Sequence, residues 1–140
     1  MIQRFSHTSV LVFDQDAARN FYVNKLGFDV RMDQSMENGF RWLTVSPKGQ
    51  PDFQLILMKV DGPNIKPEVA AILKGLMENG GMGGGVLQVD DCRATYEELK
   101  AKGVEFLSPP AERFYGIECV MKDNSNNWFS MTQPKAMPPK

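Results

Sequence analysis

The chain of 140 residues holds a single histidine, His7, and only two cysteines, Cys92 and Cys119. One imidazole is a tight restriction, because zinc sites, non-haem iron sites and hydrolytic triads each draw on at least one and often two. Two thiols are too few for a disulfide framework and fit a reducing compartment. An excess of one charge is missing as well. Sixteen basic residues against 17 acidic ones leave a formal net charge of −1, so no positive field exists to drive counterion release from nucleic acid. No apolar run approaches the ~20 residues that span a bilayer, and the opening Met1-Ile2-Gln3-Arg4-Phe5-Ser6 lacks the layout of a signal peptide. These shortages predict a cytoplasmic protein with neither nucleic acid nor membrane among its partners. The remaining composition, 42% hydrophobic and 24% charged, predicts one globular domain over residues 1–140.

Thr8 to Phe13 is a short β-branched and apolar run, and predicts a buried strand. After it Ala17, Ala18, Phe21, Tyr22 and Leu26 recur at helical spacing, with Asp14 or Asp16 to cap the first amides and Gly27 to terminate. Strands are expected at Phe28 to Met32, Phe40 to Val45 and Phe53 to Val60, so residues 5–61 read as a βαβββ module. Residues 62–82 predict a connecting helix with one apolar stripe and a glycine-rich linker, the glycine run continuing to Gly85 as a hinge or a place of close approach. That run leads into a strand rather than a helix and so lacks the context of a phosphate loop. Residues 83–133 then repeat the first plan: strand, Asp90-Asp91 cap, helix from Cys92 to Lys102, and three strands. Residues 134–140 read as a flexible tail.

The repeat has a register. At an offset of 76, Val10-Leu11 falls on Val86-Leu87, Asp14 on Asp90 and Gly27 on Gly103; at 77, Gly39-Phe40-Arg41 falls on Gly116-Ile117-Glu118. The slip between them is assigned to one inserted loop residue. The fold class expected is α+β: two βαβββ modules forming a cup-shaped curved mixed sheet with helices on its outer face. A concave face of that kind is a natural small-molecule site.

Four segments carry a resemblance to a known family: Ser6-His7-Thr8-Ser9-Val10, Asn20-Phe21-Tyr22 through Leu26-Gly27-Phe28, Val89-Asp90-Asp91, and Asp123-Asn124-Ser125-Asn126-Asn127-Trp128-Phe129. Together they resemble the vicinal oxygen chelate superfamily of glyoxalase I, bleomycin-resistance proteins and extradiol dioxygenases. The resemblance implies paired modules around a cup, often a divalent metal, and often a homodimer. It also implies four metal-ligand positions. Two of these hold His7 and Gln54, but the second-module histidine position holds Gly83-Gly84 and the final glutamate position holds Ser130. An imidazole and an amide bring two donors and no charge, which is too little for a catalytic ion. No metal and no cofactor are therefore expected. The function expected is binding of a small organic molecule, with a metal-dependent lyase, isomerase or dioxygenase as the alternative.

Strand alternation would place Ser9 beside His7 on the concave face and Trp128 beside Ser130. His7 acts either as a general base or as a hydrogen-bonded structural histidine. Arg41 and Glu118, matched by the repeat, either clamp a ligand anion with Glu118 orienting it, or form a compensated ion pair. Tyr115 either gates the mouth of the cup or packs in a hairpin. Cys119 should point away from the cup toward the helices, and Cys92 should lie on a helix surface. The ligand-binding candidates are thus His7, Ser9, Arg41, Gln54, Tyr115, Glu118, Trp128 and Ser130.

Overall fold

The computed structural model describes residues 1–136, so residues 137–140 of the expected tail lie outside the described residues. The first module runs β1 (His7–Val12), α1 (Gln15–Asn20), β2 (Asp29–Ser35), β3 (Arg41–Ser46) and β4 (Gln54–Lys59). After α2 (Pro67–Glu78) the second runs β5 (Gly83–Gln88), α3 (Cys92–Ala101), β6 (Glu105–Arg113), β7 (Gly116–Lys122) and β8 (Trp128–Pro134). The fold is α+β, with two four-stranded mixed sheets ordered β1-β4-β3-β2 and β5-β8-β7-β6. In each, the first strand runs parallel to the last of its module and the other pairs are antiparallel.

Local chemistry repeats too. Asp14 accepts a hydrogen bond from the Ala17 amide (2.8 Å), and Asp91 from the Ala94 amide (3.0 Å); each such cap contributes about 1 kcal/mol. Gly27 and Gly103 follow the two helices at φ 77° and 88°, a left-handed conformation that favours glycine. Asn126 takes φ 63°, a left-handed conformation that asparagine tolerates better than most residues.

The pairing of caps corrects the expected register. Asp14 matches Asp91, not Asp90, so the caps stand 77 apart, as do core-packed Val10 and Val12 from Leu87 and Val89, while Gly27 and Gly103 stand 76 apart. The extra residue is absorbed inside the first helix, where Phe21–Lys25 continues α1 as a π-helical turn. Such a turn inserts one residue into a helix without breaking it. The insertion therefore lies in a helix, not in a loop. From there the offset remains 76 through β3 and β7, where the buried residues are Leu43 and Val45 against Cys119 and Met121.

Burial alternates along the strands. Val10, Val12, Leu43, Val45, Leu55 and Leu57 of one module and Cys119, Met121, Phe129 and Met131 of the other join one core with Phe21, Tyr22 and Leu99 of the helical segments. Each sheet is thus covered on its helix side; its other face carries partly exposed side chains such as His7, Trp42, Glu118 and Trp128, although Thr44 and Ser130 on it are buried. β5 begins at Gly83, inside the glycine-rich run and at the start expected for the second module. The tail begins later than expected, since Pro134 belongs to β8 and the Lys135 amide bonds the Tyr115 carbonyl at 2.9 Å.

Hydrogen bonds that join the modules gather at one place. The phenol of Tyr22, in the π turn, donates to Asp123 Oδ2 (2.6 Å) between β7 and β8. Asn127 Nδ2 reaches the Leu11 carbonyl (2.7 Å), the Phe13 amide reaches Ser125 Oγ (3.0 Å), and Tyr22 meets Phe129 edge-on.

Cys92 and Cys119 lie in the core with their sulfurs 3.6 Å apart. Cys119 faces the helices as expected; Cys92 is fully buried rather than on the helix surface. Burial, reinforced by the neighbouring Cys92 sulfur, pushes the Cys119 thiol up to about 12. Neither thiol should react with Ellman's reagent in native protein at pH 8, and both should react in guanidinium. Rapid modification of a native thiol would contradict this packing.

Candidate functional site

Parity along the strands decides which side chains reach an uncovered face. In the first sheet Val10 and Val12 turn inward, so His7, Ser9 and Leu11 turn outward; Leu43 and Val45 turn inward, so Trp42 and Thr44 turn outward, where Thr44 is covered and fully buried. His7 pairs in register with Gln54 across the parallel β1 and β4 ladder. Its Nδ1 lies 2.8 Å from Ser6 Oγ, and its ring lies 5.9 Å from that of Trp42. Gln54 Oε1 accepts from the Thr44 hydroxyl at 2.7 Å. The outcome is a strip of imidazole, amide and hydroxyl bordered by indole.

On the second sheet Cys119 and Met121 turn inward, leaving Glu118 outward, while inward Phe129 and Met131 leave Trp128, Ser130 and Thr132 outward. The four polar residues at one end form a chain. Tyr115 Oη donates to Glu118 Oε1 (2.6 Å), Ser130 Oγ donates to Glu118 Oε2, and Ser130 and Thr132 hydroxyls lie 2.8 Å apart. These bonds, the one from Ser130 first, hold the Glu118 carboxyl below the usual carboxylate range. Trp128 stands at the other end of β8, 41% exposed.

Seven of the eight sequence candidates therefore lie on or beside an uncovered face: His7, Ser9 and Gln54 on the first sheet, and Tyr115, Glu118, Trp128 and Ser130 on the second. Arg41 does not. It shares the inward parity of Leu43 and Val45, and at the end of the strand it forks onto Asp33 (2.8 and 2.9 Å) and onto Asp16 (2.6 Å). Arg41 and Glu118 neither clamp an anion together nor pair, because with the insertion lying in the helix it is Trp42 that matches Glu118. The sequence reading missed Trp42 and Thr44 for the same reason; an offset of 76 carried through β3 finds both.

Among the described residues no group of three His, Cys, Asp or Glu side chains converges on one point. A metal of the kind used by some vicinal oxygen chelate proteins would have His7 and Gln54 as donors, and the amide oxygen already accepts from Thr44. That donor set does not fit a catalytic divalent ion.

The sequence pattern of the Glyoxalase/Bleomycin resistance protein/Dioxygenase superfamily matches residues 4–131. The chain belongs to this superfamily. Among proteins of known structure, UcmS2 is 45% identical, with a TM-score of 0.90 over 94% of this chain and 98% of its own. TnmS3, an antibiotic binding protein from Streptomyces sp. CB03234, is 32% identical, with a TM-score of 0.74 over 96% of this chain and 98% of its own. The uncharacterized protein YetH of Bacillus subtilis (strain 168) is 32% identical over 133 residues, covering 95% of this chain and all of YetH. The superfamily's shared frame explains the recurrence of capped helix and mixed sheet; the chemistry on the uncovered faces is this chain's own.

Proposed function

We propose that this protein binds a small organic molecule with an aromatic portion, and that it does so as a homodimer in which a second copy closes the uncovered sheet faces into a cup. The observation that carries the reading is the make-up of those faces. Trp42, Trp128 and Tyr115 offer partly exposed aromatic surface beside hydrogen-bonding groups at His7, Ser9 and Gln54. Ligand sites are commonly built this way, with large apolar walls and a few polar groups that set orientation. That TnmS3 is named an antibiotic binding protein supports a small organic guest.

The need for a second copy follows from exposure. Val86 and Trp128 on the second sheet, and Phe5 and Met32 around the first, are large apolar side chains left in solvent within one chain, and such surfaces on a monomer mark association or ligand sites. A cleft of about 890 Å³ between the modules is lined by Lys25, Leu87, Glu98 and Met131 among others, and by none of the candidate residues. That cleft does not gather them, which supports a cup completed by a second copy.

Sedimentation should give twice the mass of one chain. A thermal-shift screen of aromatic antibiotics and metabolites should yield compounds that raise the midpoint by mass action and quench tryptophan emission, with Trp128→Ala weakening them about tenfold. A flat response across the screen would overturn the reading, as would a stoichiometric, chelator-resistant divalent metal in protein purified without an affinity tag.

A further inference from the structure

Glu118 is unlike the other strand carboxylates that carry hydrogen bonds. Asp29 pairs with Lys48, Asp33 with Arg41 and Arg19, and Glu105 with Lys122. Glu118 receives only hydroxyls, from Tyr115 and Ser130. Among the described residues no lysine or arginine lies within ion-pair distance of it; Arg113 lends a weak distant field, and Lys122, farther along the same face, is engaged with Glu105 at 3.1 Å. A carboxylate offers about four acceptor directions, and the two hydroxyls fill two of them. The rest are unfilled, beside the Tyr115 ring, which the exposed Phe114 meets edge-on at 4.9 Å.

From Thr132, which pairs with Glu118, the strand runs four residues to Trp128, about 13 Å at the usual rise per residue. Val86 and Ser130 pair along the way. The uncovered face of the second sheet is therefore polarised, with one negative charge at one end, apolar surface in the middle and an indole at the other. We propose that Glu118 anchors the protonated amino group of a cationic, aromatic small molecule whose ring system lies toward Trp128. This rests on the small-molecule reading above and narrows it to a class of guest. An amine donates to the open lone pairs of Glu118 and gains from the neighbouring tyrosine face, because cations are attracted to aromatic quadrupoles. A carboxylate or phosphate guest would meet repulsion at the same place.

The test uses two fluorescent probes that differ by one charge, dansylcadaverine, which ends in an ammonium, and N-pentyl dansylamide, which ends in a methyl group. Wild-type protein should bind the cationic probe about tenfold more tightly, as expected for one charge-assisted hydrogen bond in a partly exposed site. That ratio should shrink as salt rises from about 20 to 300 mM, because ions screen the attraction. Glu118→Gln should bring the ratio to about one, whereas Glu118→Asp, which keeps the charge, should retain a preference of several-fold; matching thermal midpoints establish that both variants are folded. Saturable binding of both probes with a ratio near one in the wild type overturns the cation assignment alone, as does a ratio that survives Glu118→Gln. Absence of saturable binding of the neutral probe overturns the small-molecule reading itself.

Discussion

Replacing Asp123 by alanine should destabilise the protein by about 4 kcal/mol, a large share of the 5–15 kcal/mol that holds a typical domain together. The carboxylate is 2% exposed and satisfies four donors: the amides of Ser125 (2.8 Å) and Asn127 (2.9 Å), the Asn127 side chain (3.0 Å) and the Tyr22 phenol (2.6 Å). Alanine leaves the fully buried Tyr22 hydroxyl without a partner and frees the turn that carries Ser125 and Asn127 into the first module. The cost of stranding buried donors exceeds the value of any single bond lost. In thermal unfolding the midpoint should fall by about 10 °C or more. Tyr22→Phe removes one bond and should cost about 2 kcal/mol, with the two substitutions less than additive because they share an interaction. Asn124→Ala, which removes an exposed bond to the Ala17 carbonyl, should cost less than about 1 kcal/mol. Equal losses for Asp123→Ala and Asn124→Ala would refute this junction as the tie between modules.

The same pair carries a pH signature. Burial, and then the adjacent Asp123, raise the Tyr22 phenol well above its ordinary value of 10.0. A group whose folded pKa exceeds its unfolded value stabilises fully below the unfolded pKa, and that contribution is lost as pH rises through the folded one. Wild-type stability should therefore decline above pH 10, and Tyr22→Phe should decline less steeply over the same window. Parallel declines for the two proteins would contradict the assignment.

The βαβββ plan was legible because it is written in short-range chemistry. Val10 and Val12, Cys119 and Met121, and Phe129 and Met131 alternate at the strand period, while Asp14, Asp91, Gly27 and Gly103 punctuate the helices. Register was the weak link, and its failure had chemical consequences. A π-helical turn has no distinctive composition, so the inserted residue within Phe21–Lys25 passed unseen and the slip was moved into a loop. One position of error on a strand exchanges faces, which put Arg41 beside Glu118 on the uncovered side and hid Trp42. Long-range pairing was out of reach for a different reason. Nothing local to Tyr22 announces a partner 101 residues away, nor does the sequence around Arg41 reveal that Asp33 and Asp16 will claim it.

Gly84→Ala should cost about 3 kcal/mol, whereas Gly83→Ala one residue earlier should cost less than about 1 kcal/mol yet impair ligand binding. The difference lies in what each new methyl would meet. At Gly84 the methyl would fall closer than 3.0 Å to three atoms of the Phe129 ring, which is 2% exposed and packed in the core, so nothing can yield without disturbing the sheet. At Gly83 it would meet the Trp128 ring at 2.8 Å, and that indole, 41% exposed, can swing into solvent. These are the glycines that stand where the family resemblance places a second metal-binding histidine. The indole of Trp128 leans over Gly83 on the uncovered face, in space that a side chain at that position would occupy, so the residue change replaces a metal donor by an aromatic wall. Gly83→His should accordingly displace Trp128 and weaken an aromatic guest without creating tight zinc binding, since Ser130 and Gln54 still bring no charge. Denaturant unfolding separates the two alanine variants, and tryptophan emission follows the indole. If Gly83→Ala left both emission and aromatic-ligand affinity untouched, Trp128 would not be the platform proposed for it.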